Sequence, residues 1–210
     1  MVKVKICGIT NEEDALAAVE AGADSLGFVF AESPRKIGIY TAASIIKELP
    51  AHIGSVGVFA DQEADEIFRI MEAAKLHLAQ IHGGIEGPFD PLNEGVRWGV
   101  VRALRLASAE DVYKAAEDHL IAICEALLLD AHVEGKMGGT GQTFDWKLAL
   151  QAERYNKPII LAGGLTPENV AEAVRMVRPY AVDVSTGVEE SPGEKDHAKI
   201  KEFVKNAKNA

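Results

Sequence analysis

A cysteine closes a short apolar run and meets a glycine in Lys5-Ile6-Cys7-Gly8-Ile9-Thr10. An aspartate closes another in Leu127-Leu128-Leu129-Asp130. A thiol at a strand-to-helix turn can take a proton from carbon, provided a positive field lowers its pKa. Cys7 could equally be a buried structural thiol, since free cysteine is among the most buried residue types. A carboxylate at the end of an apolar strand is desolvated, which raises its pKa toward the range of a general acid. Asp130 could instead brace the long loop that follows. Arg35, in Ser33-Pro34-Arg35-Lys36, offers a forked clamp for a carboxylate, or is a solvated surface arginine. His82 ends Gln80-Ile81-His82 and reads as a ligand, a proton carrier or a hydrogen-bonded wall residue.

Glycine-rich turns suggest a second kind of chemistry. Gly138-Gly139-Thr140-Gly141, Ala162-Gly163-Gly164-Leu165 and Ser185-Thr186-Gly187 each follow an apolar run. Glycine lets backbone N–H groups converge on an oxyanion, and the hydroxyls of Thr140, Ser185 and Thr186 add donors. Any one of these is compatible with a plain turn; three in succession favour a phosphate group. The histidines His52, His77, His119, His132 and His197 show no H-x-x-x-H or H-x-H spacing, so no metal site is expected.

These residues need elements to hold them. Strand candidates fall at about 2–7, 24–30, 54–59, 77–81, 98–103, 125–130, 158–162 and 180–184. Helical patterns lie between them, at 14–21, 63–74, 109–118 and 167–177, with a last one at 196–208. Asn11 looks like a cap before an acidic first turn, and Thr166-Pro167-Glu168 like a helix start. Continuous apolar runs such as Leu127-Leu128-Leu129 suit a parallel sheet covered on both faces. Repetition of strand and helix predicts an α/β chain folded as one (β/α)8 barrel domain over residues 1–210. The unit after the fourth strand is weak, because 83–93 is rich in glycine and proline, so its helix should be short or irregular. In such a barrel the loops after the strands build the active site. That rule gathers Cys7, Arg35, Asp61, His82, Arg102 or Arg105, Asp130 and the glycine turns at one mouth.

Composition narrows the partners. The chain has 210 residues, 48% of them apolar, and a formal net charge of -10. With no basic block above that charge, nucleic acid is not an expected partner. No run is long enough to span a membrane, and no signal peptide is apparent, so a cytoplasmic protein is expected. Two distant cysteines, Cys7 and Cys124, fit a reducing compartment.

Taken together, the motifs resemble the phosphoribosylanthranilate isomerase family. The matching segments are Lys5 to Thr10, Gly27-Phe28-Val29-Phe30 with Ser33-Pro34-Arg35, Val56-Gly57-Val58-Phe59, and Gln80-Ile81-His82-Gly83. They continue through Leu128-Leu129-Asp130, Gly138 to Gly141, Thr143-Phe144-Asp145-Trp146, Ala162 to Leu165, and Asp183-Val184-Ser185-Thr186-Gly187-Val188-Glu189. The resemblance implies an Amadori rearrangement of N-(5-phosphoribosyl)anthranilate in tryptophan biosynthesis, with Cys7 as general base and Asp130 as general acid. It assigns Arg35 to the anthranilate carboxylate, and Gln80 and His82 to the substrate pocket. Gly139, Thr140, Gly141, Gly163, Gly164, Ser185, Thr186 and Gly187 would hold the phosphate. It implies no cofactor, because an iminium intermediate is its own electron sink, and a monomer or homodimer acting on a small phosphosugar. Three positions depart from the family pattern: Ile81 for leucine, Thr186 for serine, and Arg102 where lysine is common, which would alter charge near the substrate. A histidine-pathway isomerase would carry aspartate in place of Cys7. A ribulose-phosphate epimerase would need more strand-end histidines than His82. A non-catalytic barrel that binds phosphometabolites would leave the thiol and carboxylate unexplained.

Overall fold

The structure, a computed structural model, describes residues 1–91, 95–131 and 146–210. Parallel strands β1 (Lys3–Cys7), β2 (Ser25–Val29), β3 (Gly54–Ala60), β4 (Leu78–His82), β5 (Gly99–Leu106), β6 (Ala126–Ala131), β7 (Ile159–Leu161) and β8 (Ala181–Val184) form a closed barrel in chain order. Closure is made by β1 against β8, with Val4 opposite Val182 and Ile6 opposite Val184. The expected (β/α)8 architecture is therefore the observed one. β5 runs to Leu106, beyond the expected end, because Leu104, Arg105 and Leu106 stay paired with Leu129, Asp130 and Ala131 of β6.

The helices are α1 (Glu12–Glu20), α2 (Ile39–Glu48), α3 (Ala64–Ala74), α4 (Ala109–Lys114), α5 (Leu120–Ile123), α6 (Lys147–Gln151), α7 (Val170–Val177) and α8 (His197–Lys208). Asn11 caps α1 as expected, its side-chain oxygen accepting the Asp14 amide at 2.8 Å. The expected start at Thr166-Pro167 is corrected. Asn169 accepts the Thr166 amide at 2.8 Å and donates to the Gly164 carbonyl at 2.9 Å, so 166–169 form a turn and α7 begins at Val170. Among the described residues between β4 and β5 there is no helix. Phe89 and Trp98 cover that side instead, each packed on Phe68 of α3 with ring centroids 5.6 and 5.4 Å apart. A hairpin of β9 (Glu189–Ser191) and β10 (Glu194–Lys195), not anticipated from the sequence, follows β8.

Side chains alternate along each strand. Val4, Ile6, Leu26, Phe28, Leu127, Leu129 and Val182 face the helices and build the main core. Val101, Ala103, Leu128 and Ile160 fill the barrel interior. Lys5 and Cys7 share the inner face of β1, and Leu128 and Asp130 that of β6. Among the described residues no helix is long and apolar enough to cross a membrane.

Candidate active site

The strands open at their C-terminal ends on a cavity of about 350 Å³. Cys7, Arg35, Gln80, His82, Asp130, Gly163, Gly164, Ser185, Thr186 and Gly187 all line it. Strand ends far apart in sequence thus converge as expected. Gly139, Thr140 and Gly141 lie outside the described residues. Asp61 is not among the lining residues; it holds the turn after β4, accepting the Gly84 amide at 3.1 Å.

Cys7 is a free thiol, 7% exposed. Its neighbour in register is Gly27, where a β-carbon would lie only 2.7 Å from the sulfur. Gly8 turns at a φ of +78°, and a β-carbon there would meet Arg35 Cδ at 2.7 Å and Ser185 Oγ at 3.0 Å. These two glycines let the thiol and its surroundings close up. Burial pushes the Cys7 thiol above its usual pKa, although Lys5 and Lys195 draw it down and Asp183 raises it further. The expected positive field is present, but desolvation outweighs it, so the thiol rests protonated. Asp130 is half-buried rather than sealed away.

Arg35 is no solvated surface residue. Its Nε donates to Glu189 Oε1 at 2.7 Å and its Nη2 to Oε2 at 2.6 Å, a bidentate pair that fixes the guanidinium plane. Lys195 Nζ donates to the same Oε1 at 2.8 Å. Burial alone would raise the Glu189 carboxyl, but the bonds from Arg35 and Lys195 carry it below the ordinary range. Among the described residues Arg35 Nη1 has no partner, which leaves one edge of the fork for a ligand carboxylate.

Gln80 Nε2 lies 2.7 Å from His82 Nε2. Burial, helped by the charges of Arg105, Lys5 and Arg102, lowers the His82 pKa to about 3. His82 is therefore a neutral wall residue at ordinary pH. Arg102 corrects the expectation of a cation near the substrate. It faces the helices, pairs with Asp118 and donates to the carbonyls of Ile81 at 2.9 Å and Gly83 at 2.7 Å. Strand alternation from Val101 and Ala103 instead points Arg105 inward, opposite Asp130 in register.

The far end of the cavity suits an anion. Gly163 and Gly164 take φ of +80° and +65°, conformations that favour glycine. At Gly187 a β-carbon would fall 2.0 Å from the Leu165 carbonyl oxygen, so only glycine lets the loops after β7 and β8 meet. The buried Ser185 Oγ has no hydrogen-bond partner among the described residues. Such a donor invites an acceptor. Sequence reasoning passed over Lys5, Asp183, Glu189 and Lys195, although strand alternation already placed Lys5 beside Cys7. Among the described residues no cluster of His, Cys, Asp and Glu could hold a metal ion.

The model of the N-(5'-phosphoribosyl)anthranilate isomerase family matches residues 4–206. An N-(5'-phosphoribosyl)anthranilate isomerase of Pseudomonas fluorescens is 50% identical over 204 residues, 97% of this chain and 97% of that protein. The crystal structure of phosphoribosyl anthranilate isomerase from Thermotoga maritima superposes with a TM-score of 0.88 at 43% identity, covering 100% of both chains. A phosphoribosyl anthranilate isomerase solved with reduced 1-(o-carboxyphenylamino)-1-deoxyribulose 5-phosphate superposes at 0.85 with 42% identity, again over 100% of both. With barrel, strand-end thiol and carboxylate, and anion-suited loops in one cavity and the match running nearly end to end, the chain belongs to the N-(5'-phosphoribosyl)anthranilate isomerase family.

Proposed function

We propose that this protein isomerises N-(5'-phosphoribosyl)anthranilate to 1-(2-carboxyphenylamino)-1-deoxyribulose 5-phosphate, as a cytoplasmic, single-domain enzyme of tryptophan biosynthesis. The observation that carries this reading is Cys7 and Asp130 lining one cavity from the inner faces of β1 and β6. In support of the ligand class, a relative of the same fold was solved with a reduced form of that product.

In this reading Asp130 gives its proton to the ribose ring oxygen. The C1–O bond breaks and the ring opens to an iminium. Cys7, as thiolate, then takes the proton from C2, and the released electron pair forms the C1–C2 double bond of an enolamine. A proton returns to C1, the O2 hydroxyl loses its own, and the ketone results. Oxidation of C2 balances reduction of C1 within one molecule. Burial holds the Cys7 thiol protonated at rest, so it first releases that proton to solvent, and the arriving iminium supplies positive charge that favours the thiolate. The free edge of Arg35 would take the anthranilate carboxylate, with Gln80 and His82 as neutral walls. Gly163, Gly164, Ser185, Thr186 and Gly187 would take the phosphate, joined by Gly139, Thr140 and Gly141.

The test is fluorescence decay of phosphoribosylanthranilate generated in situ, with chelator-treated wild type, Cys7→Ser and Asp130→Asn. Each variant is expected to lose at least about a hundredfold in kcat, the scale of a positioned acid or base. A fully active Cys7→Ser enzyme would remove the base assignment. A chelator-treated wild type without activity would overturn the acid–base scheme.

A further inference from the structure

Beneath the thiol, on the same face of β1, sits a lysine that the scheme above does not use. Lys5 is 3% exposed, and a buried ammonium persists only when paired and hydrogen-bonded. Its Nζ donates to Asp183 Oδ1 and to Gln80 Oε1, both at 2.9 Å. Asp183 is itself buried, at 8% exposed. A β-carbon at Gly27 would lie 2.7 Å from Cys7 Sγ and 3.0 Å from Lys5 Cε. The sulfur and the end of the lysine stem therefore border the same small space. An ammonium carries three N–H donors, so the two bonds to Asp183 and Gln80 do not exhaust it.

We propose that Lys5, held by Asp183 and Gln80, is the positioning cation that stabilises the Cys7 thiolate, the form that takes the proton from C2. The proposal rests on Cys7 being the base. A fixed charge in a water-poor interior acts more strongly than a surface lysine and is little screened by salt. Asp183 holds the ammonium but partly cancels its field. Lys5 nonetheless pulls on the thiol more strongly than Asp183 pushes. The other elements around Cys7 do not replace it. Lys195 of β10 acts in the same direction but is tied to Glu189, as is Arg35 after β2. His82 of β4 is neutral, Asp130 of β6 is an acid, and Val29 and Val58 of β2 and β3 are apolar.

The experiment reads the thiol directly. In a Cys124→Ser background, the pH dependence of Cys7 alkylation by iodoacetamide is measured beside the pH profile of kcat/KM. Lys5→Met together with Asp183→Asn removes both charges and strands neither, a replacement that buried ion pairs often tolerate. Its alkylation midpoint is expected to rise by about one pH unit or more, the usual reach of a close opposite charge. The ascending limb of kcat/KM should move with it. Asp183→Asn alone should shift the midpoint the other way, downward, and serves as the test should the double variant not fold. A midpoint that stays put or falls in the double variant, or that stays put or rises in Asp183→Asn, overturns the proposal. If the alkylation midpoint rises while the kcat/KM profile does not move, Lys5 governs the thiol but Cys7 is not the base.

Discussion

Gly27→Ala tests whether the position of the Cys7 sulfur sets the rate. The added methyl would sit 2.7 Å from Sγ, 3.0 Å from Lys5 Cε and 3.1 Å from Cys7 Cα. Relaxed non-bonded carbon contacts lie at about 3.5–4.0 Å, so the thiol must retreat by about 1 Å. The backbone resists that movement. Cys7 is directly opposite Gly27, and the Gly8 and Ile9 amides both bond the Gly27 carbonyl, at 2.9 and 3.0 Å. The side chain yields instead, and a misplacement of about 1 Å costs on the order of a hundredfold in rate. Overpacking of this size costs about 1–3 kcal/mol, which a stable barrel survives. Turnover of phosphoribosylanthranilate should show the loss in kcat, with KM changed far less because the phosphate loops are untouched. Urea unfolding checks that the variant is folded. A folded variant with wild-type kcat would refute the argument that the sulfur's placement matters.

Further outcomes follow from the rest of the site. Gly187→Ala places a methyl against the Leu165 carbonyl and parts the two loops, so KM should rise and inhibition by inorganic phosphate weaken. An unchanged KM would show that these loops do not hold the phosphate. Glu189→Gln frees Arg35 and leaves Lys195 as a buried unpaired charge, a change that costs about 3–5 kcal/mol in unfolding measurements. The native Glu189 carboxyl lies below its ordinary 4.5, so its contribution is complete above that pH and fades as pH falls through the native value. Below pH 4.5 wild-type stability should therefore drop more steeply than that of Glu189→Gln. The His82 pKa falls from 6.5 to about 3, which favours the folded state fully above 6.5 and progressively less as pH falls toward 3. Ring NMR signals of His82 should stay those of a neutral imidazole down to about pH 5, and a titration near the unperturbed value would contradict its burial.

Much of this was legible because parallel strands buried on both faces read as unbroken apolar runs. Leu127, Leu128 and Leu129 are such a run, facing helices, interior and helices in turn. Once a barrel was expected, the residues ending those runs had to share a mouth, which is why Cys7, Asp130, Gly163 and Ser185 were found. The same continuity hides which residues face inward. Arg102 and Arg105 could not be told apart for that reason. Glu189 escaped for another reason. Its partner Arg35 is 154 positions away, and the short polar hairpin of β9 and β10 has no periodic signal. The helix start at Thr166 was misread because Asn169, an ordinary polar residue in sequence, reaches back to the turn.

Closure of β1 on β8 has a consequence for synthesis. Lys5 and Asp183 are separated by 178 positions, and the Lys195 amide bonds Asp14 from 181 positions away. Chains are made from the N-terminus, and domains fold as units once enough chain is available. The buried lysine beneath the thiol is thus made 178 positions ahead of the carboxylate that holds it. Until β8 docks, Lys5 lacks its Asp183 partner, and β8 does not yet close the barrel beside Cys7. The site around Cys7 is therefore complete only once β8 has closed the barrel against β1.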